Sequence, residues 1–278
     1  MKLRKVTAAT AVVLALATAA TACGSDKKSD GGSSSGGKSI KIGIKFDQPG
    51  IGQKTPQGYA GFDVDVATYV AKQLGYNADQ IEWKESKSAD RETMLKRGDV
   101  DFIAASYSIT PKREAQVDFA GPYLLAHQDV LIRADENKIK SPSDLNSKKL
   151  CSVTGSTSAQ NVKDKLAPNA NLQVYPTYSA CLTGLQNGAI DALTTDDSIL
   201  AGYASQAAFK GKFKLGGFRM TNENYGIGVK KGSDLKAKIN AALEKMVSDG
   251  SWQKAVDKNF GPANYKNEPA PKIGNIVK

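Results

Sequence analysis

Apolar and polar residues alternate along this chain in two rhythms, and the switches between them mark its elements. Ile40 to Phe46 alternates with period two and reads as a first strand, with Lys45 near its carboxyl end. Gly50 to Gly58 carries three Gly and a Pro and reads as loop. Phe62, Val66, Val70 and Leu74 then fall four apart on one helix face, and Gly75 is placed to end that helix. Asp63 and Asp65 suit its positive start, as dipole complement and solubilising charge rather than as metal ligands. Gln80 to Ser86 is a second strand, Asp90 to Arg97 a short helix closed by Gly98, and Val100 to Ala105 a third strand. Val117 to Leu125, broken by Gly121-Pro122, and Gln128 to Arg133 read as extended chain, and Ser141-Pro142 opens a helix.

The pattern then begins again. Strands at Leu150–Val153, Leu172–Tyr175 and Ala189–Thr194 alternate with helices running to about Leu166, over Tyr178–Asn187 and from Ser198 to about Gln206. Tyr225–Val229 is a further strand, and helices follow from Leu235 and from Trp252 to Phe260. The tail from Pro262 is rich in Pro, Asn and Lys and reads as loose. Strand–helix alternation around Lys41–Arg113 and again around Lys149–Gln206 argues for two α/β lobes.

Three strand exits stand out. Ser106-Tyr107-Ser108-Ile109-Thr110-Pro111-Lys112-Arg113 leaves the third strand, and Thr110-Pro111 starts a short helix bearing Arg113. Ligands of open α/β sheets bind at strand carboxyl ends. A guanidinium there matches a carboxylate bidentately; the plainer alternative is a surface arginine at a helix start. Thr154-Gly155-Ser156-Thr157-Ser158, small and polar between a strand and a helix, presents backbone N–H groups to an anion. Thr195-Asp196-Asp197 forms another such exit.

Charge and composition change the picture at the N-terminus. Three of the ten net positive charges are Lys2, Arg4 and Lys5, which leaves +7 for the rest. The remaining basic residues are spread, without the basic and aromatic texture of a nucleic-acid binder. Lys2 to Lys5, an apolar stretch to Ala22 and Ala20-Thr21-Ala22-Cys23 read as a secretory signal over residues 1–23. Cys23 after small residues resembles a bacterial lipobox, with Ala20 where that pattern usually has Leu; ordinary cleavage beside a cysteine is the alternative. Residues 24–39, nearly all Gly, Ser, Asp and Lys to Lys38, read as a flexible tether spanning on the order of 20 Å. The chain is therefore expected outside the cell, held to the outer face of the membrane through Cys23.

A set of motifs in order carries a resemblance. Gly61-Phe62-Asp63-Val64-Asp65-Val66-Ala67 comes first, then Gly98-Asp99-Val100-Asp101-Phe102. Thr110-Pro111-Lys112-Arg113, Val117-Asp118-Phe119, Pro122-Tyr123, Gly155-Ser156-Thr157, Asp191 to Asp196 and Asp249-Gly250-Ser251-Trp252 follow. Over Ile40 to about Tyr265 the chain resembles the family 3 solute-binding proteins of amino-acid ABC importers. Within them it is most similar to the lipid-anchored glutamate-binding subunits of high-GC Gram-positive bacteria. The resemblance implies an α/β, type II periplasmic-binding-protein-like fold, with two lobes joined by a two-strand hinge and a ligand cleft between them. Residues 40–127 plus 224–265 would form one lobe, 128–223 the other, and 266–278 a loose tail. It further implies a monomer that needs no cofactor and no metal, captures an amino acid and hands it to ABC permease subunits.

The same resemblance assigns site residues. Arg113 would grip the ligand α-carboxylate, helped by the backbone of Ser108 and Thr157. The Ser106 carbonyl, the Ser108 hydroxyl and Asp196 would take the α-ammonium. Gly155, Ser156 and Thr195 flank these positions. A zwitterion needs a fixed cation and a fixed acceptor, and one comes from each lobe. Lys45 matches a position that touches the ligand side chain, where a cation favours glutamate, then aspartate, then glutamine; an exposed strand-end lysine is the alternative. Arg91 and Lys54 are further candidates for that role. Tyr107 walls the ligand or packs in the core. Ser106 stands where many relatives carry Gly, and Ser88 near where some carry an aromatic, so aromatic stacking on the ligand is not expected.

With Cys23 lipidated, Cys151 and Cys181 remain as an even pair in an exported chain and read as a disulfide, two buried free thiols being the alternative. The rival function is an enzyme resembling the cyclohexadienyl dehydratases, which share this fold. Against it, the one histidine, His127, lies near a lobe crossing and reads as structural, and no nucleophile–base pair is in sight.

Overall fold

In the computed structural model, residues 38–278 are described. The signal stretch, the lipidation at Cys23 and the tether as far as residue 37 lie outside the described residues.

Ile40, Ile42 and Ile44 are buried, and their alternation makes β1 (Ile40–Ile44) the centre of the first lobe's sheet. The expected loop after it is instead a small antiparallel sheet, β2 (Asp47–Gln48), β3 (Gly52–Thr55) and β4 (Gly58–Ala60). Its strands are short and half-exposed, so no apolar alternation announces them. Next come α1 (Phe62–Gln73), β5 (Ile81–Glu85), α2 (Arg91–Arg97), β6 (Phe102–Ile103) and α3 (Pro111–Glu114). Thr110 caps α3 by accepting from the Arg113 N–H.

The two expected extended stretches fuse into one strand, β7 (Asp118–Arg133), with a cis Gly121–Pro122 peptide inside it. The second lobe follows: β8 (Lys149–Val153), α4 (Thr157–Asn161), β9 (Asn171–Tyr175), α5 (Tyr178–Gln186), β10 (Ala192–Asp196), α6 (Asp197–Ser205) and β11 (Phe213–Leu215). The helix expected to reach Leu166 is α4 followed by one wider turn, and the one after Ser141 is a single tight 3-10 segment. The chain then returns through β12 (Asn222–Val229) to α7 (Leu235–Ser248) and α8 (Ser251–Phe260).

The strand order is β5-β1-β6-β12-β7-β10-β8-β9, with β11 also on β7. The first half of β7 pairs antiparallel with β12, from Asp118 opposite Val229 to His127 opposite Asn222. From Gln128 onward it pairs with β10, then with β11. One strand thus serves both lobes, and β12 crosses back beside it. Helices α1, α7 and α8 cover the first sheet, where Phe62 packs against Trp252 and Phe260 and Trp252 Nε1 donates to the Tyr123 carbonyl at 2.8 Å. In the second lobe a disulfide joins Cys151 on β8 to Cys181 on α5.

The tail does not lie free of the rest. The N–H of Gly274 donates to the Gly121 carbonyl at 2.9 Å. The side chain of Asn224 bonds both the N–H and the carbonyl of Val277, at 3.0 and 2.9 Å. Asn222 Nδ2 donates to the Lys278 carbonyl at 2.8 Å. The tail therefore lies along the crossing strands. Among the described residues no helix is long and apolar enough to cross a membrane.

Candidate functional site

The loop after β6 is held by a residue from a different element. Ser106 has a left-handed φ of 44°, and its N–H donates to Asp63 Oδ2 at 2.7 Å. Asp63 also accepts from the Tyr123 hydroxyl at 2.6 Å and is fully buried. The expectation that Asp63 is a solvated dipole complement is thus corrected: it anchors the site loop. Burial lifts its pKa to about 6, against the pull of the Tyr123 and Ser106 hydrogen bonds.

Arg113 is buried and spans the two lobes. Its guanidinium donates to the Ser108 carbonyl at 2.8 Å and, across the cleft, to the Gly155 carbonyl at 3.0 Å; Glu92 stands 3.4 Å from Nε. Burial and the nearby Arg91 charge pull its pKa down to about 10, which leaves it cationic at neutral pH. Arg91 is buried as well, and donates to the carbonyls of Ala105 and Ser106 at 3.0 and 3.3 Å. Both guanidiniums lie over the Tyr107 ring, at 4.1 Å for Arg91 and 5.1 Å for Arg113. Tyr107 itself packs edge-on against Phe119 in the core, so it sets the two cations rather than lining the cleft.

Gly155, with φ 77°, approaches the first lobe closely: a Cβ there would lie 2.8 Å from the Ala89 Cα. Ser156 caps α4 by accepting from the Ala159 N–H at 3.0 Å. The Thr157 hydroxyl donates to Glu223 at 2.9 Å. Asp196, at the end of β10, accepts from the Tyr225 hydroxyl at 2.5 Å and from Ser158 at 3.4 Å. Burial, and then the nearby Glu223 carboxylate, push its pKa well above the usual range.

A cavity of about 10 Å³ lies where these groups converge, room for about one water. Its first-lobe walls are Ser88, Arg91, Ser106 and Arg113; its second-lobe walls are Ser156, Thr157, Ser158, Tyr178, Asp196 and Ile199. A groove of about 520 Å³ shares Ser88, Arg113, Ser156 and Thr157 with it. Lys45 stands one residue back, its Nζ 2.8 Å from the Ser88 Oγ. It is buried, not exposed at a strand end; desolvation and then Arg91 pull its pKa down to about 7. Ser108 and Thr195 are buried nearby without lining the cavity, and Lys54 is exposed over the Phe46 ring, away from it.

Tyr178, Ile199 and Glu223 were not singled out by the sequence, whereas Ser158 closes the Thr154 to Ser158 stretch that was. Tyr178 and Ile199 look like ordinary helix-start residues. Glu223 gives no local signal, since its neighbours come from α4. His127 is buried at the crossing, where its N–H donates to Asp197 at 3.0 Å, in keeping with a structural role. Among the described residues no group of three or more His, Cys, Asp or Glu could hold a metal ion.

Two α/β lobes, two crossing strands and a polar site between the lobes define a type II periplasmic-binding-protein fold. Comparison with known proteins agrees. Residues 40–262 match the model of the bacterial extracellular solute-binding proteins, family 3, and the chain belongs to that family. It is 45% identical over 272 residues to the glutamate-binding protein GluB of Corynebacterium efficiens, spanning 92% of this chain and 91% of that protein. The GluB protein of Corynebacterium glutamicum is 46% identical over 257 residues, spanning 87% and 85%. Among solved structures, an ancestral arginine-binding protein bound to glutamine superposes with a TM-score of 0.75 at 35% identity, covering 81% of this chain and 98% of that one.

Proposed function

We propose that the chain is the amino-acid-capturing subunit of an ABC importer and that its ligand is L-glutamate. Residues 40–127 with 224–265 form one jaw and 128–223 the other, and the ligand holds them shut before it passes to membrane permease subunits. An acylated Cys23 tethers the assembly to the outer face of the membrane. The observation that carries the reading is the pairing of Arg113 and Asp196 on opposite walls of one buried cavity. A zwitterionic α-amino acid, for which the water-sized cavity must widen, satisfies both at once: its carboxylate takes guanidinium donors, and its ammonium compensates a carboxylate that burial otherwise disfavours. Each interaction exists only with the jaws together, so binding shifts the population toward closure.

The side-chain end supports an acid. Arg91 lines the cavity, Lys45 stands behind Ser88, and both are buried basic groups. A second carboxylate offsets their desolvation, which an amide does only in part. The likeness to two glutamate-binding proteins supports the same choice.

Calorimetry with glutamate, aspartate, glutamine and asparagine tests this. Glutamate is expected to bind tightest, with aspartate next. Arg113→Ala should weaken it about 1,000-fold, because a buried carboxylate loses its partner. Glutamine binding more tightly than glutamate would refute the choice of ligand, and an Arg113→Ala protein that binds normally would refute the site.

A further inference from the structure

Away from the ligand groups, the lobes meet at a second place. β2 and the turn after it reach from the first lobe to helices α5 and α6 of the second. Asp47 Oδ2 accepts from the Ser179 N–H, in the first turn of α5, at 3.2 Å, and from the Tyr203 hydroxyl on α6 at 3.1 Å. The same hydroxyl lies 2.5 Å from the Asp47 backbone carbonyl. Tyr203 is buried, and burial beside Asp47 raises its pKa, so it stays a donor. Next to it Gly202 allows a backbone contact that no other residue permits: a Cβ there would lie 2.0 Å from the Pro49 carbonyl oxygen. None of Asp47, Ser179, Gly202 or Tyr203 lines the cavity.

We propose that Asp47 and Tyr203 form a closure latch, a positioning pair that never touches the amino acid but sets how long the jaws stay shut on it. The inference rests on the clamp reading above. The latch joins groups from different lobes, so it stabilises only the shut arrangement and adds equally to every ligand that closes the cleft. Its position gives it a connection to the site. Asp47 lies two residues past Lys45 on the same run of chain, so a ligand that settles Lys45 also settles the turn that carries the latch. With the hydroxyl between a carboxylate and a carbonyl, its loss leaves two half-buried acceptors underserved in the closed form and costs nothing in the open one. The effect falls on dissociation, not on encounter.

Tyr203→Phe is the discriminating variant, because it removes the hydroxyl and leaves the charge beside Lys45 unchanged. Parent, Tyr203→Phe, Asp47→Asn and the double variant are titrated with glutamate and with aspartate by calorimetry. Their dissociation is followed by stopped-flow fluorescence. Tyr203→Phe is expected to weaken both ligands by the same factor, about tenfold, through faster dissociation at an unchanged association rate. The double variant should be weaker than Asp47→Asn alone, because the backbone carbonyl of residue 47 still accepts from the Tyr203 hydroxyl in that single variant, and the melting temperature without ligand should stay near the parent's. A Tyr203→Phe protein that releases ligand at the parent's rate overturns the latch. So does a changed glutamate-to-aspartate ratio in that variant, which would place Tyr203 in ligand recognition. A parent protein that binds no amino acid overturns the clamp reading itself, and the latch with it.

Discussion

On the proposed reading, Lys45 lets a single buried basic group shape binding. Desolvation and the neighbouring Arg91 pull its pKa down to about 7, with Asp47 opposing them. A ligand carboxylate beside it favours the charged form and raises that pKa again. Under the proposed reading Lys45 is mostly neutral at pH 8 without ligand and charged with it, so binding takes up a proton there and affinity falls as pH rises above 7. Calorimetry at pH 8, in buffers of different ionisation enthalpy, should show the parent taking up about one more proton than Lys45→Met. Lys45→Met should also lose most of the preference for glutamate over glutamine. Equal proton counts would remove Lys45 from the side-chain site. At this scale legibility depended on how local the signal was. Arg113 could be found because a Thr-Pro cap fixes its place after a strand. The anchoring job of Asp63 could not, because its partners, Ser106 and Tyr123, are distant in sequence and a helix-start acid is ordinarily solvated.

Strands and helices whose apolar residues face a core were legible, and those held by other means were not. Helix α1 follows its four-residue spacing, and Phe62, Val66 and Val70 are all buried. β2 to β4 and β11 were hidden, since they are short and offer few apolar side chains. β7 was read as two pieces, Val117 to Leu125 and Gln128 to Arg133, with Gly121-Pro122 as a break in the first; one strand runs through both and carries that pair within it. The cysteine pair was read as a bridge with two free thiols as the alternative, and the structure has the bridge. It ties β8, whose exit holds Gly155 to Thr157, to α5, which supplies Tyr178 to the cavity and Ser179 to Asp47. Closing a separation of 30 residues stabilises by about 3–4 kcal/mol in the chain-entropy model. The Cys151→Ala/Cys181→Ala double variant should lose about that much in urea unfolding, and mass spectrometry of the unreduced parent should find no free thiol at either position. Two free thiols, or an unchanged unfolding midpoint, would rule the bridge out as a stabilising element.

For the molecule as a whole, the proposed closing and opening would bend the crossing strands near His127 and Gln128, where β7 passes from β12 to β10. The two-lobe plan was legible from the repeated strand–helix alternation and from the ordered motifs. What lies on the crossing was not, because a run of Pro, Asn and Lys has no apolar face to reveal a partner. The structure lays that tail on the bend. Tyr265 donates to Asp197 of α6 at 2.8 Å, and Glu268 pairs with Arg219 and with His127. Val277 and Lys278 bond to Asn224 and Asn222 on β12. These contacts run between the first-lobe end of the chain, the crossing strands and the second lobe, so they resist their separation. Deleting residues 267–278 removes several hydrogen bonds of about 1 kcal/mol each, some of them exposed, for a net loss of about 2 kcal/mol. In a chain of this size that lowers the melting temperature by about 4–8 °C. The same deletion should speed amide hydrogen exchange at Leu125 to Asp129 and leave the far strand β9 unchanged, since the tail bonds the crossing and not the outer edge of the second sheet. If melting and exchange both match the full chain, the tail lies on the hinge without restraining it, and the bend is governed by β7 and β12 alone.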